Sequence, residues 1–286
     1  MATFMRLRPG GTRGWPKPLF DDTRVTEAAH AIRKRNSRST GFALVTTPSG
    51  KPVSGNLHRM PPPGTEGVYP AFVSSLLACP LIYQDEAAAG LNVMLTLFQN
   101  LNEANRTLNH PFAWDPGTGE PVGWGRQRHV SALAVWYSYY AFQGVFLSVP
   151  DKTLFVAPNL PKGVRTFRAP LFTPVCLGNL EWSERDTDRY QQRVTFSFDS
   201  PIHIERLELE TPPLECEFEV FIKTDEDVSR AEHAVFPGAR RNTVRIELNA
   251  PVLVQEPLSV TLRAVKEVPV AADDTAMRYG RRMTRL

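Results

Sequence analysis

Residues 109–146, NHPFAWDPGTGEPVGWGRQRHVSALAVWYSYYAFQGVF, divide the chain, because the sequence before them is patterned for helices and the sequence after them for strands. Three prolines and four glycines in the first half of this stretch exclude a helix or a central strand there. The second half, from about residue 125 to 146, is apolar nearly all round, which predicts a helix that neighbours bury on several sides. The stretch is therefore predicted to be the junction of the fold and the best candidate for a site.

The loop in its first half carries planar apolar side chains, carboxylates and guanidinium groups. This mixture is suited to binding a neutral polyol, since aromatic rings cover the C–H face of a sugar while charged groups form hydrogen bonds with its hydroxyls. The candidate substrate-binding residues are His110, Trp114, Asp115, Glu120, Trp124, Arg126 and Arg128.

Each candidate also has an ordinary structural explanation. Arg126 and Arg128 could form a structural ion pair or bond the start of the helix. The two tryptophans could hold the loop against its own domain, and Asp115 before Pro-Gly is typical of a turn. His110 and the other histidines lack metal-ligand spacing, so we expect no metal and no other cofactor.

The sequence before the loop has apolar residues at the spacing of α-helices. Repeats of three and four residues predict helices over about 22–36, 66–79 and 85–105, with Pro80 ending the second. In the third helix Leu91, Leu95 and Phe98 are predicted to share the core-facing side with Ala87 and Met94. Residues 1–20 are rich in glycine and proline, which predicts disorder or a linker.

After Pro150 the period changes to two, which is typical of strands. Short runs rich in branched and aromatic residues, separated by Pro, Gly, Asp or Asn, predict an antiparallel sandwich. The runs are 153–157, 165–172, 193–198, 203–209, 217–223, 243–248 and 258–265. Helices followed by strands predict an α+β fold with domains at 21–150 and 151–268 and a tail at 269–286.

Composition sets bounds on partners and location. Hydrophobic residues make up 42% of the 286-residue chain and charged residues 22%, as in ordinary globular proteins. The net charge of +3 is weak and its excess lies near both ends, so we expect no nucleic-acid binding. No run approaches the ~18 apolar residues of a membrane span. Without the apolar core of a signal peptide at the N-terminus, a cytoplasmic location is expected.

The spacing of the cysteines and the absence of two short motifs exclude further classes of protein. Cys79, Cys176 and Cys216 have no metal-ligand spacing and are predicted to be small buried residues in a reducing compartment. The chain has no G-x-S-x-G elbow and no Gly-rich phosphate loop. Serine hydrolases of that type and P-loop enzymes are therefore excluded.

The helical half resembles the C-terminal end of the catalytic domain of glycoside hydrolase family 116, the β-glucosidases that include the non-lysosomal glucosylceramidases. The resemblance is one of pattern and order over about residues 20–180. It lies in TEAAHAIRKRN, GFALVTTPSGKPV, VYPAFVSSLLACPLIYQ, AAAGLNVMLTLFQNLNE, NHPFAWDPGTGEPVGWGRQRH, ALAVWYSYYAFQG, TLFVAPNLP and RAPLFTPVCLGNL.

This resemblance implies a toroid of six helical hairpins, of which residues 21–150 would be the last part. The family's catalytic Glu nucleophile and Asp acid/base lie upstream of the matched segments, so no catalytic residue is expected in this chain. The family also implies a sugar-binding Arg, for which Arg126 is the first candidate and Arg128 the second, preceded by a sugar-binding Glu. Glu120 lies at a shorter spacing than the family's Glu, and Asp115 is the other acidic option.

Two functional hypotheses follow. In the first, the chain is the C-terminal portion of a retaining β-glycoside hydrolase, binds a glucoside-like carbohydrate and takes its catalytic residues from an upstream subunit or a missing N-terminal part. In the second, it is a non-catalytic carbohydrate-binding or structural module.

Overall fold

The chain divides into two compact units. We call Met1–Ser148 with Leu154–Val164 the helical unit, and Val149–Thr153 with Arg165–Leu286 the strand unit. The computed structural model describes residues 22–38, 41–43, 46–51, 71–103, 115, 118, 120, 135–173, 175–186, 189–212, 214, 216–224, 227–236, 241–254 and 257–265.

The described residues of the helical unit form four α-helices and two pairs of short strands. In chain order, the elements are α1 Asp22–Asn36, β1 Ser37–Arg38, β2 Gly41–Phe42, α2 Ala71–Tyr83, α3 Ala87–Glu103, α4 Val135–Gln143, β3 Val145–Ser148 and β4 Thr153–Val156. β1 pairs antiparallel with β2, and β3 neighbours β4. Among the described residues, no helix combines the length and the apolar character needed to cross a membrane.

Small residues set how closely α2 and α3 approach. A Cβ added at Gly90 of α3 would lie 2.5 Å from Cγ1 of Ile82 and 2.8 Å from the carbonyl oxygen of Ala78, both on α2. Glycine is therefore required where the two helices meet. The resulting core of the helical unit contains Ala29, Phe42, Ala43, Leu77, Ala78, Leu81, Ala89, Val93 and Leu97.

This close packing corrects the predicted orientation of α3. Leu91, Leu95 and Phe98 were expected in the core, but all three are exposed. Because α2 approaches closely, α3 turns its small residues and the aliphatic Val93 and Leu97 inward. A large apolar stripe is left on the outer side of the helix.

α2 continues through Pro80, so the prediction that this proline ends the helix is wrong. A proline in a helix interior removes one backbone N–H donor and costs about 3 kcal/mol. The next residues, Leu81 and Ile82, are completely buried, and burying such side chains contributes about 1.5–3 kcal/mol each. Packing therefore offsets the lost hydrogen bond and carries the helix on to Tyr83.

α4 ends at Gln143, three residues before the predicted end, because Gly144 adopts a φ of 59°. The following chain folds back onto this terminus. Ala157 N donates to the Gly144 carbonyl at 2.9 Å, and Asn159 donates from its backbone N to Phe142 at 3.0 Å and from Nδ2 to the Ala141 carbonyl at 2.7 Å. We call these three hydrogen bonds the α4 clamp. They satisfy carbonyls that a helix end leaves without partners.

The strand unit consists of antiparallel strands. They are β5 Thr166–Phe172, β6 Leu177–Asp186, β7 Tyr190–Phe198, β8 Ile202–Thr211, β9 Phe218–Lys223, β10 Val228–Arg230, β11 His233–Phe236, β12 Asn242–Val254 and β13 Leu258–Ala264. One sheet has the order β10-β9-β13-β7-β6-β5, and β12 lies between β11 and β8 in another. The mixed α+β class, helices first and then mostly strands, is confirmed.

The alternation predicted for β7 is observed, since Val194, Phe196 and Phe198 are buried while the residues between them are more exposed. β6 was not predicted, because its sequence LGNLEWSERD is largely polar. Its pairing with β7 places the side chains of Leu180 and Trp182 in the interior. Alternating faces of this kind in two antiparallel sheets are compatible with the predicted sandwich.

The three cysteines are free thiols. Cys79 is buried on α2 as predicted, whereas Cys176 and Cys216 are only partly buried. Both lie in connections beside strands rather than within them, so the expectation of full burial is wrong for these two.

We expect Gly144→Ala to lower the free energy of unfolding by at least about 3 kcal/mol, because a Cβ there would lie 1.7 Å from the Ala157 carbonyl oxygen. Gly163→Ala is the matched control: its φ of 90° is also positive, but nothing lies within 4 Å of the added Cβ. The control should lose only about 1–2 kcal/mol. Denaturant unfolding followed by far-ultraviolet circular dichroism measures both, and equal losses would contradict the role of the α4 clamp.

Candidate functional site

The predicted sugar-binding loop joins α3 to α4, and two of its seven candidate residues fall within the described part of the chain. These are Asp115 and Glu120. The other five, His110, Trp114, Trp124, Arg126 and Arg128, lie outside the described residues, so their roles stay predictions.

Asp115 and Glu120 close a tight turn. The backbone N of Asp115 donates to the carbonyl oxygen of Glu120 at 2.7 Å. Inside the turn, Oδ1 of Asp115 accepts from the backbone N of Thr118 at 2.8 Å and from its Oγ1 at 3.2 Å. Oγ1 of Thr118 in turn accepts from the backbone N of Glu120 at 3.2 Å. The Asp115 carboxylate thus does what an Asp at a turn ordinarily does.

The turn distinguishes the two acidic candidates. Asp115 is half-buried and one of its carboxylate oxygens holds Thr118, whereas Glu120 is exposed at the end of the turn. A carboxylate oxygen that already accepts two hydrogen bonds has less capacity for a sugar hydroxyl. Of the two, Glu120 is the better placed to meet a ligand from solvent.

The helices on either side of the loop are fixed in one core. Ser138 of α4 is buried, and its Oγ donates to the carbonyl oxygen of Ser75 on α2 at 3.2 Å and lies 3.4 Å from Sδ of Met94 on α3. Ala141 is fully buried, and the α4 clamp holds the far end of the helix. Both attachment points of the loop therefore belong to the same packed unit.

Aromatic side chains lie on α4, the helix that follows the loop in sequence. Trp136 and Tyr137 are exposed, and the ring of Trp136 contacts Tyr139 edge to face, with centroids 5.5 Å apart and an interplanar angle of 86°. The hydroxyl of Tyr139 accepts from Nε2 of the buried Gln143 at 3.0 Å. Burial raises the pKa of Tyr139, against the opposing effect of that hydrogen bond. The phenol stays neutral and can both donate and accept hydrogen bonds.

These aromatics were not among the predicted site residues, because W-Y-x-Y-Y within an apolar run reads as core. A signal that could have found them is the presence of four aromatic residues within positions 136–140, on the element that follows the polar loop. An exposed indole beside a hydrogen-bonded phenol offers an apolar face and a polar edge, as sugar recognition requires.

Cys79 and Tyr83 of the helical unit are poor nucleophiles. Burial raises the pKa of the Cys79 thiol to about 12, so the thiol stays protonated at neutral pH. Burial also raises the pKa of Tyr83. Within the part of the chain that the structure describes, no three His, Cys, Asp or Glu side chains come together as a metal site.

No protein-family model matches the chain, and no curated protein matches it in sequence. Solved structures do match parts of it. The α-L-rhamnosidase of Dictyoglumus thermophilum is similar with a TM-score of 0.40 and 12% identity, over 69% of this chain and 21% of that one. The GH127 β-L-arabinofuranosidase Ara127N of Geobacillus stearothermophilus T6 is similar with a TM-score of 0.30 and 14% identity, over 66% of this chain and 31% of that one.

The fibre head protein of bovine atadenovirus type 4 matches 35% of this chain and 96% of its own, with a TM-score of 0.22 and 9% identity. Two of these three proteins are glycoside hydrolases by name. The chain spans less than a third of the length of either enzyme.

The turn itself can be tested. We expect Asp115→Ala to raise the exchange rate of the Thr118 amide hydrogen about fivefold or more, because a hydrogen bond of this kind contributes ~1 kcal/mol. Asp115→Asn keeps an acceptor at Oδ1 and should leave the rate within about twofold. Hydrogen exchange followed by NMR measures both, and an unchanged rate in Asp115→Ala would show that the carboxylate does not hold the turn.

Proposed function

We propose that the chain forms the C-terminal portion of a retaining β-glycoside hydrolase similar to a β-glucosidase, and that it contributes sugar-binding side chains rather than the catalytic pair. In this proposal residues 21–150 are the last part of a helical toroid and residues 151–268 are a β-sandwich. The catalytic carboxylates come from an upstream subunit or from an N-terminal part outside this chain.

The observation that carries the proposal is the turn from Asp115 to Glu120, held between two helices of one core. A turn whose backbone is already hydrogen-bonded before a ligand arrives loses less conformational entropy on binding. The turn presents an exposed carboxylate at Glu120, and the arginines that follow it in the sequence supply donors for the same hydroxyls. Arg126 is proposed as the principal sugar ligand and Arg128 as the second.

Aromatic groups complete the proposed subsite. Trp114 and Trp124 lie in the loop sequence, and Trp136 is exposed at the start of α4. An aromatic face stacked on the apolar side of a pyranose, with charged groups around its rim, discriminates a sugar from an apolar ligand. His110 is the remaining candidate for a hydroxyl contact.

The isolated chain should hydrolyse an aryl β-glucoside at least about a thousandfold more slowly than an ordinary glycosidase, for which kcat is roughly 1–1,000 per second. Retaining hydrolysis needs two carboxyl groups about 5 Å apart across the sugar. In the strand unit, the buried Glu208 is paired with Arg245 and the half-buried Glu210 with Arg241 instead. Release of the aryl group at an ordinary rate by the purified chain would overturn the assignment of the catalytic pair to another part.

Sugar binding is expected to depend on Arg126. Isothermal titration of the purified chain with glucose, a glucose-type imino sugar and short β-glucans should show saturable binding, and Arg126→Ala should weaken it at least tenfold, since a charged hydrogen bond contributes about 1.5–3 kcal/mol. Arg168→Ala is the matched control, because Arg168 is exposed and pairs with Glu181 in the strand unit. No binding by the folded chain, or equal binding by both variants, would contradict the proposal.

A second candidate function places carbohydrate binding on the strand unit, and one observation favours it. The guanidinium of Arg245 lies 4.6 Å from the ring centre of the exposed Phe236 and donates to Glu208 at 3.1 Å. An exposed ring beside a fixed arginine offers a sugar an apolar surface and a charged hydrogen-bond donor, as a binding module would. In the same titrations, loss of binding in Phe236→Ala but not in Arg126→Ala would favour this module.

A further inference from the structure

The six-stranded sheet of the strand unit has one buried side and one exposed side. On β7, buried residues alternate with more exposed ones, and Arg193 is among the exposed residues. Residues directly opposite each other in an antiparallel sheet lie on the same side, so the strand registers show which residues share the side of Arg193. We call this side the open face. Its cations are Arg168, Arg185, Arg193, Lys223, Arg230 and Arg263, and its carboxylates are Glu181 and Glu219.

The open face carries an excess of positive charge. Both of its carboxylates are already paired with cations of the same face. The pairs are Arg168–Glu181 and Arg230–Glu219. Arg185, Arg193 and Lys223 are exposed, and in the described part of the chain no carboxylate lies within ion-pair distance of them. The excess of cations over carboxylates therefore remains available to an anionic ligand.

The arginines of β8 and β12 are arranged differently. Three arginines on or beside these strands each lie 2.7–3.3 Å from a carboxylate. The pairs are Arg206–Glu247, Arg245–Glu208 and Arg241–Glu210. The net charge of the whole chain is only +3. The positive charge of the open face is therefore a local concentration and not a general property of the surface.

Three of the cations lie together near the middle of the open face, in two rows that cross β6, β7 and β13. The rows are Arg185–Gln191–Arg263 and Ser183–Arg193–Thr261, and we call these six residues the arginine grid. Adjacent strands are about 4.8 Å apart, and diagonal neighbours on adjacent strands are about 7–8 Å apart. Arg193 is therefore about 7–8 Å from each of the other two arginines, which are about 10 Å from each other.

The arginine grid is suited to a ligand with several separated anionic groups. A guanidinium group binds a carboxylate, sulfate or phosphate through two parallel hydrogen bonds. Because the three arginines are spread over the sheet, a single small anion cannot reach all of them, whereas a chain with repeated charges can. The side chains of Ser183, Gln191 and Thr261 lie between the arginines and can both donate and accept hydrogen bonds, as sugar hydroxyls require.

The aromatic residue next to the arginine grid distinguishes between two polyanions. Sequence-tolerant binding of single-stranded nucleic acid uses open aromatic faces on which bases stack. Phe221, opposite Thr261, is half-buried, and the guanidinium of Arg263 lies 5.7 Å from its ring centre. Its ring is thus already occupied by a cation. The observations favour an anionic carbohydrate over a nucleic acid.

We infer that the open face binds an acidic polysaccharide, a carbohydrate chain that carries carboxylate or sulfate groups along its length. Arg185, Arg193 and Arg263 bind the anionic groups, and the polar side chains between them bind hydroxyls. This site is separate from the loop between α3 and α4 and does not rest on the proposed function.

Fluorescence anisotropy of labelled oligogalacturonate and heparin oligosaccharides, titrated with the full chain at about 50 and 200 mM salt, is the direct test. We expect saturable binding that is tighter at the lower salt concentration and is not competed by a neutral β-glucan. Arg193→Glu should weaken binding at least about tenfold and reduce its salt dependence, since a cation of the grid is replaced by a carboxylate. Arg193 is exposed, so the circular dichroism spectrum should be unchanged.

Arg35→Glu is the matched control. It makes the same change of charge at an exposed arginine of α1, and binding should stay within about twofold. A second variant tests the uncharged part of the grid. Gln191→Ala removes a neutral hydrogen-bonding group and should weaken binding about threefold with the salt dependence unchanged.

Three results would overturn the inference. They are no binding of either acidic oligosaccharide by the folded chain, equal weakening in Arg193→Glu and Arg35→Glu, and full affinity in Gln191→Ala. Tighter binding of a single-stranded DNA oligonucleotide of the same charge would assign the open face to nucleic acid instead. None of these results bears on the loop, whose binding of neutral glucosides is measured separately with Arg126→Ala.

Discussion

The contact between α2 and α3 at Gly90 is the constraint on which the helical unit depends. It leaves no room for a Cβ at Gly90, so α3 faces α2 with a glycine at this point and with Ala89, Val93 and Leu97 around it. Leu91, Leu95 and Phe98 lie on the outer side of the helix. The same core receives Ser138 of α4, which holds the helix that follows the candidate loop.

Local patterns predicted the kind of each element better than its limits or its orientation. The alternation in β7 identified a strand, since every second side chain is apolar and buried. The apolar residues of α3 identified a helix, but periodicity does not distinguish a face that packs on α2 from a face that another chain could cover. The predictions at Pro80 and at β6 were wrong for the same reason, because tertiary contacts override local propensity. Burial of Leu81 and Ile82 carries α2 past Pro80, and pairing with β7 makes a strand of the polar β6 sequence.

The candidate site was predictable in its turn chemistry. Asp before Pro-Gly indicated that the Asp115 side chain would bond the turn, and it holds Thr118. The exposure of Glu120 and the edge-to-face contact of Trp136 with Tyr139 depend on tertiary packing, which no short motif encodes. Arg126 and Arg128 remain assigned by resemblance and by residue chemistry, since they lie outside the described residues.

The α4 clamp has a consequence for synthesis on the ribosome. The residues that cap α4, Ala157 and Asn159, are translated after the helix itself and after both strands of the β3–β4 connection. Until they leave the ribosomal exit tunnel, the last carbonyls of α4 have only water as a partner. The nascent chain therefore completes the anchor of its candidate loop only after Asn159 has left the exit tunnel, so this step of folding follows the order of translation.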